Sequence, residues 1–222
     1  KIDRKTLDLL PSLRCVATRS TGFDHIDLTA CSERGVGVSN VPFYGENTVA
    51  EHTFSLILAL SRNVHKSYMR SLRRDFSIEG LKGFDLQGKT LGVVGVGHIG
   101  LHVIRIAKGF GMHVLACDPK QDKFLSEVLH YRHVELDELL SQSDIITLHV
   151  PHNEHTHHLI NSETIKKIKP GALLINTSRG GLVDNGALID ALERKIIAGA
   201  GLDVLEEMFQ IPLWPNNQSK RL

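Results

Sequence analysis

The feature that most constrains this chain is a glycine-rich turn between two apolar segments. A run rich in β-branched residues, Thr90–Val94, predicts a buried parallel strand. The residues Gly95-Val96-Gly97-His98-Ile99-Gly100 follow, and then apolar side chains at spacings of three and four predict a helix that Gly111 ends. A second strand, His113–Cys117, leads to Asp118. This order of strand, turn, helix, strand and acid predicts a parallel α/β fold.

Each glycine of this turn, residues 95–100, has a physical task in binding a dinucleotide. Gly95 allows the tight turn, Gly97 lets a pyrophosphate approach the backbone, and Gly100 allows the helix to pack closely on the strand. The positive end of the helix then faces the phosphates. Asp118, eighteen residues after Gly100, can accept hydrogen bonds from ribose hydroxyls and would repel a 2′-phosphate. The pattern predicts NAD rather than NADP; the alternative is a tight turn in a nucleotide-free α/β protein.

Composition excludes several classes of partner. The formal net charge is +1, from 26 basic and 25 acidic residues, which gives no electrostatic footprint for nucleic acid or an anionic membrane. The three cysteines are widely spaced and predict reduced side chains in a cytoplasmic protein. No apolar run approaches the ~18 residues that a membrane span needs.

The rest of the chain alternates strands and helices, which predicts a doubly wound parallel sheet of the Rossmann type. Residues 1–45 show only two strands, at 13–18 and 36–41, and predict part of a second, smaller α/β domain. Residues 47–73 form one long helical pattern that Asn47 can cap. Its broad apolar face fits either a core helix or burial against another subunit.

Six segments resemble a known family, the D-isomer-specific 2-hydroxyacid dehydrogenases, which include D-lactate, D-3-phosphoglycerate and formate dehydrogenases. The segments are ATRSTGFDHIDL at 17–28, NVPFYGENTVAEHT at 40–53, GKTLGVVGVGHIG at 88–100, SDIITLHVP at 143–151, KPGALLINTSRGGLVD at 169–184 and GAGLDVLEE at 199–207. The resemblance implies hydride transfer between the nicotinamide of NAD and C2 of a small D-2-hydroxy or 2-keto acid, in a cleft between two domains of a homodimer.

The resemblance also implies a domain division and a set of site residues. Residues 1–45 would be part of a flavodoxin-like substrate domain, 46–207 the Rossmann domain with its helical arm 47–73, and 208–222 a divergent or displaced tail. Arg179 matches the catalytic, substrate-binding arginine, whose guanidinium can clamp a carboxylate and polarise the neighbouring carbonyl. Thr21, Gly22 and Tyr44 match substrate-binding positions, although Tyr44 is equally compatible with a packed ring beside Phe43.

Most of the predicted cofactor-binding residues lie at strand ends or in the turns and loops that follow them, whereas Val49 lies in the helical pattern 47–73. The full set is Thr21, Val49, Gly95, Gly97, His98, Ile99, Gly100, Asp118, His149, Val150, Pro151, Thr156, Thr177, Ser178, Arg179 and Asp203. The resemblance implies that Asp203 hydrogen-bonds the carboxamide of the nicotinamide ring, which fixes the ring face that is presented.

The proton-transfer pair of the family has no match in this sequence. The family uses a histidine held by a glutamate; the glutamate position, five residues after Asp203, is Met208, and the last histidine of the chain is His158. Either the sequence represents a working dehydrogenase incompletely, or the pair is lost. The second case favours an alternative function, an NAD(H)-binding regulatory or corepressor-like protein on the same fold.

Two groups of histidines invite a metal-site interpretation that the sequence does not favour. His152, His155, His157 and His158 lie in HNEHTHH, where no thiolate or later ligand completes four-fold coordination. This segment follows Pro151 and predicts a solvated loop near the cofactor. Glu51 and His52 are adjacent on a helix and therefore face different directions. We expect no metal ion.

Overall fold

The computed structural model describes residues 1–206, which fall into two compact units divided after Glu46. The first unit contains α1 (Arg4–Asp8), β1 (Cys15–Ala17), α2 (Leu28–Glu33) and β2 (Gly37–Ser39). The two strands are parallel, with Val16 opposite Val38. The unit has a small core of five buried residues: Leu7, Ile26, Ala30, Cys31 and Val36.

The second unit contains the remaining elements. Two helices come first, α3 (Glu46–Ser61, whose first residue closes the first unit) and α4 (Val64–Leu72). There follow β3 (Thr90–Val94), α5 (His98–Gly109), β4 (His113–Cys117), α6 (Lys123–Val128), β5 (Arg132–His133), α7 (Leu136–Gln142), β6 (Ile145–Leu148), α8 (Ser162–Ile165), β7 (Ala172–Asn176), a 3₁₀ turn (Gly180–Leu182), α9 (Asn185–Glu193) and β8 (Ile197–Leu202).

Within residues 47–206, six parallel strands form the sheet of the second unit in the order β5-β4-β3-β6-β7-β8. The chain winds outward from β3 in one direction and then returns to wind outward in the other. This confirms the doubly wound Rossmann fold, whose ligand crevice lies where the strand order reverses. Buried side chains from both faces of the sheet form two large apolar clusters, so the central strands are covered on each side.

The prediction of one helix over 47–73 is wrong, because the helix is interrupted at Asn63. Asn63 has a left-handed backbone, with φ of 53°. Its side-chain amide donates to the Leu81 carbonyl at 3.4 Å, and the Phe84 N–H donates to the Ser61 carbonyl at 2.9 Å. A side chain at Gly83 would overlap that same Ser61 oxygen. The returning loop therefore takes the hydrogen-bonding groups that a continuous helix would use.

The two halves of this helical segment have different surroundings. In α3, Ala50, Phe54 and Ile57 are buried in the core, and the Phe54 ring stacks on Phe110 with centroids 5.3 Å apart. Within the described chain, α4 buries none of its residues. The helix begins at Glu46, so Asn47 lies inside the first turn and is not the cap that the sequence predicted.

Two short helices, α1 and α6, were not predicted. Each begins after an aspartate whose carboxylate accepts a backbone N–H, from Thr6 to Asp3 and from Leu125 to Asp122, both at 3.0 Å. These caps are the local signal that could have revealed the helices. Across residues 1–206, no helix combines the length and the apolar character that crossing a bilayer requires.

Candidate functional site

Residues that follow five strands of the large sheet meet at one edge of it. The glycine turn follows β3, Asp118 follows β4, residues 149–151 follow β6, residues 177–179 follow β7, and Asp203 follows β8. Because the strands are parallel, their carboxyl ends share this edge. The structure thus brings together the predicted site residues of the second unit.

The three glycines of the turn differ in what surrounds them. Gly95 has φ of 97°, and a Cβ on it would lie 2.5 Å from the His149 carbonyl oxygen. A Cβ on Gly100 would overlap the carbonyl oxygen of Gly95. A Cβ on Gly97 would meet no described atom within 4 Å, although Gly97 immediately precedes α5. Two glycines therefore serve internal packing, whereas the third leaves open space where a phosphate can approach the helix N-terminus.

The carboxylate of Asp118 is held beside the glycine turn. Its Oδ2 accepts the N–H of Val96 at 2.7 Å and its Oδ1 accepts the N–H of Lys120 at 2.7 Å. Each carboxylate oxygen can accept about two hydrogen bonds, so each retains acceptor capacity for a ribose hydroxyl. On the preceding residue, the backbone carbonyl of Cys117 accepts the N–H of Gly95 at 2.9 Å. Burial, aided by the nearby charges of Glu135 and Asp118, raises the pKa of the Cys117 thiol.

His149 is positioned by contacts with β3 and with β6, the strand that it follows. Its N–H donates to the Val94 carbonyl at 2.7 Å, and its Nε2 lies 2.9 Å from the hydroxyl of Thr147. Its Nδ1 is buried and has no hydrogen-bond partner among the described residues. Burial lowers the pKa of His149 to about 4, so the imidazole is neutral at pH 7.

The loop after β6, residues 149–158, is held by its own polar groups. The hydroxyl of Thr156 donates to the Pro151 carbonyl at 2.6 Å and accepts the N–H of Asn153 at 2.9 Å. Val150, between His149 and Pro151, is half-buried against the apolar cluster of that face. These contacts give Pro151 and Thr156 a fixed separation on the site edge.

The turn after β7 is tied to the neighbouring strand and to itself. The Ser178 hydroxyl donates to the Leu148 carbonyl at 2.8 Å. The Asn176 amide donates to the Arg179 carbonyl at 2.8 Å, and the Arg179 guanidinium donates to the Ser178 carbonyl at 2.8 Å. Arg179 is half-buried. These hydrogen bonds hold the turn Thr177-Ser178-Arg179, so Arg179 lies on a fixed turn at the carboxyl ends of the strands.

Two residues of α3 that were not predicted contact this edge. The Thr53 hydroxyl lies 3.0 Å from the Thr177 hydroxyl and 2.9 Å from the carbonyl of the predicted Val49. The His52 Nε2 lies 3.3 Å from Asp203 Oδ1. Val49, His52 and Thr53 share one helix face at spacings of three and four, which is the signal that could have identified them.

The histidine loop agrees only in part with the prediction. His152, His155 and His157 are exposed, as a solvated loop requires, but His158 is half-buried. The Nε2 atom of His158 lies 2.8 Å from Oε1 of Glu206. The sequence did not indicate that a later residue lies beside this loop, but the chain following β8 returns to it and brings Glu206 there.

The predicted substrate residues belong to the first unit. The Thr21 hydroxyl donates to the Val41 carbonyl at 3.0 Å, and the Gly22 carbonyl accepts the hydroxyl of Ser20 at 2.6 Å. Tyr44 keeps 62% of its surface exposed, so it is not an ordinary packed ring. It lines an open cleft of that unit with four other residues: Thr18, Arg19, Ser20 and His25. Arg19 and His25 add a cationic and a titratable group there. Met208 and the tail 208–222 lie outside the described residues.

The doubly wound sheet and its glycine turn define a dinucleotide-binding domain. Residues 54–221 match the family model described as D-isomer specific 2-hydroxyacid dehydrogenase, NAD binding domain. The chain is 46% identical over 205 residues to a 2-hydroxyacid dehydrogenase homolog of Haemophilus influenzae, covering 91% of this chain and 62% of that protein. It is 42% identical over 194 residues to a D-lactate dehydrogenase of Escherichia coli, covering 87% and 59%.

A solved structure agrees with these relatives. The D-lactate dehydrogenase from Aquifex aeolicus, complexed with NAD and lactic acid, superposes with a TM-score of 0.88 at 42% identity, covering 93% of this chain and 62% of that one. The chain belongs to the D-isomer-specific 2-hydroxyacid dehydrogenase family, and its cofactor is NAD. It spans about three fifths of the length of the curated relatives it matches.

Proposed function

We propose that the protein transfers hydride between the nicotinamide of NAD and C2 of a small D-2-hydroxy or 2-keto acid. One observation carries this proposal: Arg179 stands on a braced turn at the same sheet edge as the glycine turn and Asp118. A guanidinium placed there can bind a carboxylate beside a dinucleotide. The membership of the family, whose relatives include D-lactate dehydrogenases, supports the same reaction.

The residues present fit NAD. The backbone of His98 and Ile99, at the N-terminus of α5, would face the pyrophosphate over the open side of Gly97, and Asp118 would accept the adenosine ribose hydroxyls. Asp203, which His52 contacts at 3.3 Å, would hold the carboxamide. Bound NAD supplies the hydride acceptor and donor. The protein binds and orients it and, with Pro151 and Thr156, borders the adenosine.

Arg179 would act on the substrate in two ways. Its planar guanidinium can bind the carboxylate with two parallel hydrogen bonds, each worth about 1.5–3 kcal/mol when charge-assisted. Its positive charge also stabilises negative charge that develops on the C2 oxygen during reduction. Thr21, Gly22 and Tyr44 of the first unit would supply further substrate contacts, as the resemblance of those residues implies.

The experiment separates binding from turnover. The purified chain is titrated with NADH, and oxidation of NADH is then followed with pyruvate or glyoxylate. We expect NADH to bind well and turnover to be slow, because position 208 holds Met where the family's glutamate is expected. Arg179→Gln should lower that turnover by at least about 100-fold, since two charge-assisted bonds to the substrate are lost, and should weaken NADH binding by a smaller factor.

The control is Arg194→Gln, because the exposed Arg194 side chain, just after α9, is paired with the exposed Asp190 and should not affect turnover. Turnover that survives Arg179→Gln would contradict the role of Arg179. Tight NADH binding with no turnover on any small 2-keto acid would favour the regulatory, corepressor-like alternative. Absence of NADH binding would contradict both the dehydrogenase function and the regulatory alternative.

Asp118 tests the choice of dinucleotide. Asp118→Ala should weaken NAD binding and reduce the discrimination against NADP, because the carboxylate that favours hydroxyls over a 2′-phosphate is removed. Affinities for NADH and NADPH measured by fluorescence titration give the ratio. Asp190→Ala, at the surface of α9, is the control. An unchanged ratio in Asp118→Ala would contradict our assignment.

The homodimer that the resemblance implies is also a proposal, and the exposed face of α4 supports it. Val64, Tyr68 and Leu72 recur every four residues and remain 55%, 61% and 55% exposed. Such a contiguous apolar face is typical of a surface that another chain covers. Substituting both Tyr68 and Leu72 with Glu should convert the dimer to monomer in light scattering. Phe124→Glu, which alters a still more exposed ring on α6, should not.

A further inference from the structure

Three side chains from distant parts of the sequence converge beside the site edge. One nitrogen each of His157 and His158 and one carboxylate oxygen of Glu206 all lie within 4.8 Å of one another. The Nε2 of His158 lies 2.8 Å and 3.0 Å from the two oxygens of Glu206. The rings of His157 and His158 stack with centroids 3.9 Å apart. Two imidazoles and a carboxylate therefore share a small volume at the surface.

A fourth potential ligand stands next to this cluster. The Nε2 of His152 lies 3.1 Å from the Nδ1 of His157. Because His152, His157 and His158 come from one loop and Glu206 follows β8, no local spacing in the sequence predicts the group. We define the cluster as His152, His157, His158 and Glu206.

The backbone fixes the cluster on both sides. The His158 N–H donates to the Gly181 carbonyl at 2.8 Å, its carbonyl accepts the Asn161 amide at 2.9 Å, and its φ is 48°. On the other side, the carbonyl of Glu206 accepts the amide of Asn185 at 3.3 Å. A ligand set held by main-chain contacts loses little freedom when an ion binds, which favours affinity.

We propose that this cluster is a binding site for a divalent transition-metal ion, with Zn²⁺ the ion that it fits. Imidazole nitrogens suit zinc and its neighbours in the first transition row, whereas Mg²⁺ and Ca²⁺ prefer oxygen ligands. His157, His158 and Glu206 supply three ligands, as in zinc sites that keep an open position. Water or His152 supplies the fourth. The carboxylate offsets one of the two charges of the ion.

A bound ion would connect two loops that are separate in sequence. It joins the loop after β6, which also carries Pro151 and Thr156, to the segment that carries Asp203 and follows β8. Both segments border the proposed NAD site. Metal binding at the cluster requires neither NAD nor turnover, so it can be tested when either is absent.

The test is a titration of the purified chain, without nucleotide, with ZnCl₂ by calorimetry and with Co²⁺ by visible absorption. We expect one equivalent of Zn²⁺ to bind, and Co²⁺ to give the d–d bands of nitrogen and oxygen coordination. His157→Asn and Glu206→Gln should each weaken binding by at least about tenfold, because each removes one of the three ligands. Zn²⁺ should also raise the unfolding temperature of the wild type more than that of these variants.

His155→Asn is the matched control, because His155 lies in the same loop but outside the cluster. His158→Asn is a further variant whose side chain tolerates the positive φ. His157 is exposed, so its substitution leaves the fold intact and keeps the test decisive. Equal Zn²⁺ affinity in the wild type and His157→Asn, or an equal loss in His155→Asn, would overturn the proposal.

Discussion

The glycine turn at 95–100 and the loop at 149–158 lie on the same sheet edge but are built in opposite ways. The turn requires glycine, because a Cβ at Gly95 or Gly100 would overlap neighbouring backbone atoms. The loop requires polar side chains. The Thr156 hydroxyl forms hydrogen bonds with the Asn153 N–H and the Pro151 carbonyl, and the His158 ring contacts the Glu206 carboxylate. The first region is therefore sensitive to added atoms and the second to removed ones.

This contrast also separates stability from binding. Gly100 and His149 face the protein interior, so changes there should act on folding. Gly97 faces open space, so a change there should act on the dinucleotide. Thr156 supports a surface loop, and local unfolding of that loop should change the stability of the whole domain little.

The largest effect is expected at Gly100. Gly100→Ala should lower the free energy of unfolding by about 3 kcal/mol or more, because the new methyl group overlaps the Gly95 carbonyl and must push α5 away from β3. Urea denaturation measures the loss. Gly109→Ala in the same helix, where a Cβ meets no described atom, should be nearly neutral or stabilising. Equal stability of the two variants would contradict the packing role.

His149 should make stability depend on pH. Its pKa is depressed in the folded state to about 4 from an ordinary 6.5, so the unfolded chain binds more protons between those values. The contribution of neutral His149 to the free energy of unfolding is fully present above pH 6.5. It is lost as the pH falls towards 4, by at most about 3 kcal/mol. The wild type should therefore lose more stability than His149→Gln over this range in urea titrations. His113→Gln, on an exposed residue, should follow the wild type.

Gly97→Ala should reduce NADH binding without changing stability, which distinguishes the binding role of the turn from its packing role. Its φ of −73° suits alanine and no described atom opposes the methyl group, so the free energy of unfolding should change by less than about 0.5 kcal/mol. NADH affinity should fall by about 100-fold, or about 2.7 kcal/mol, because the methyl group occupies the approach of the pyrophosphate. Fluorescence titration measures this. Unchanged affinity would exclude the turn as the pyrophosphate site.

The smallest effect is expected at Thr156. Thr156→Ala removes the hydroxyl that links Pro151 and Asn153 and should cost about 1 kcal/mol, confined to the loop. Hydrogen exchange of the amides in 153–158 should accelerate while the rest of the chain is unaffected. Thr156→Ser keeps the hydroxyl and should behave as the wild type. Faster exchange throughout the sheet would show that the loop supports more than itself.

The sequence predicted β3 and β4 with their observed bounds, because each is a short, mainly apolar run that a glycine or an acid ends. It did not predict the break between α3 and α4. Residues 62 and 63 are Arg and Asn, neither of which forbids a helix. The break arises from the loop at 81–84, which bonds to Ser61 and Asn63 from about twenty residues away.

The same distinction holds at the site. The glycine turn and Asp118 could be predicted because their roles depend on neighbours within one β–α–β unit. His52 beside Asp203, and His158 beside Glu206, depend on pairs separated by 151 and 48 positions. Nothing local in the sequence specifies such a pair. Only the tertiary fold brings the two residues of each pair together.

The environment of Cys117 has a chemical consequence for handling this protein. The sulfur adjoins the acid that would bind adenosine ribose, yet burial and two neighbouring carboxylates disfavour its thiolate. Only the thiolate reacts readily with peroxide or with alkylating reagents. We therefore expect dinucleotide binding to survive mild oxidants and iodoacetamide, without a reducing agent in the buffer to protect this position.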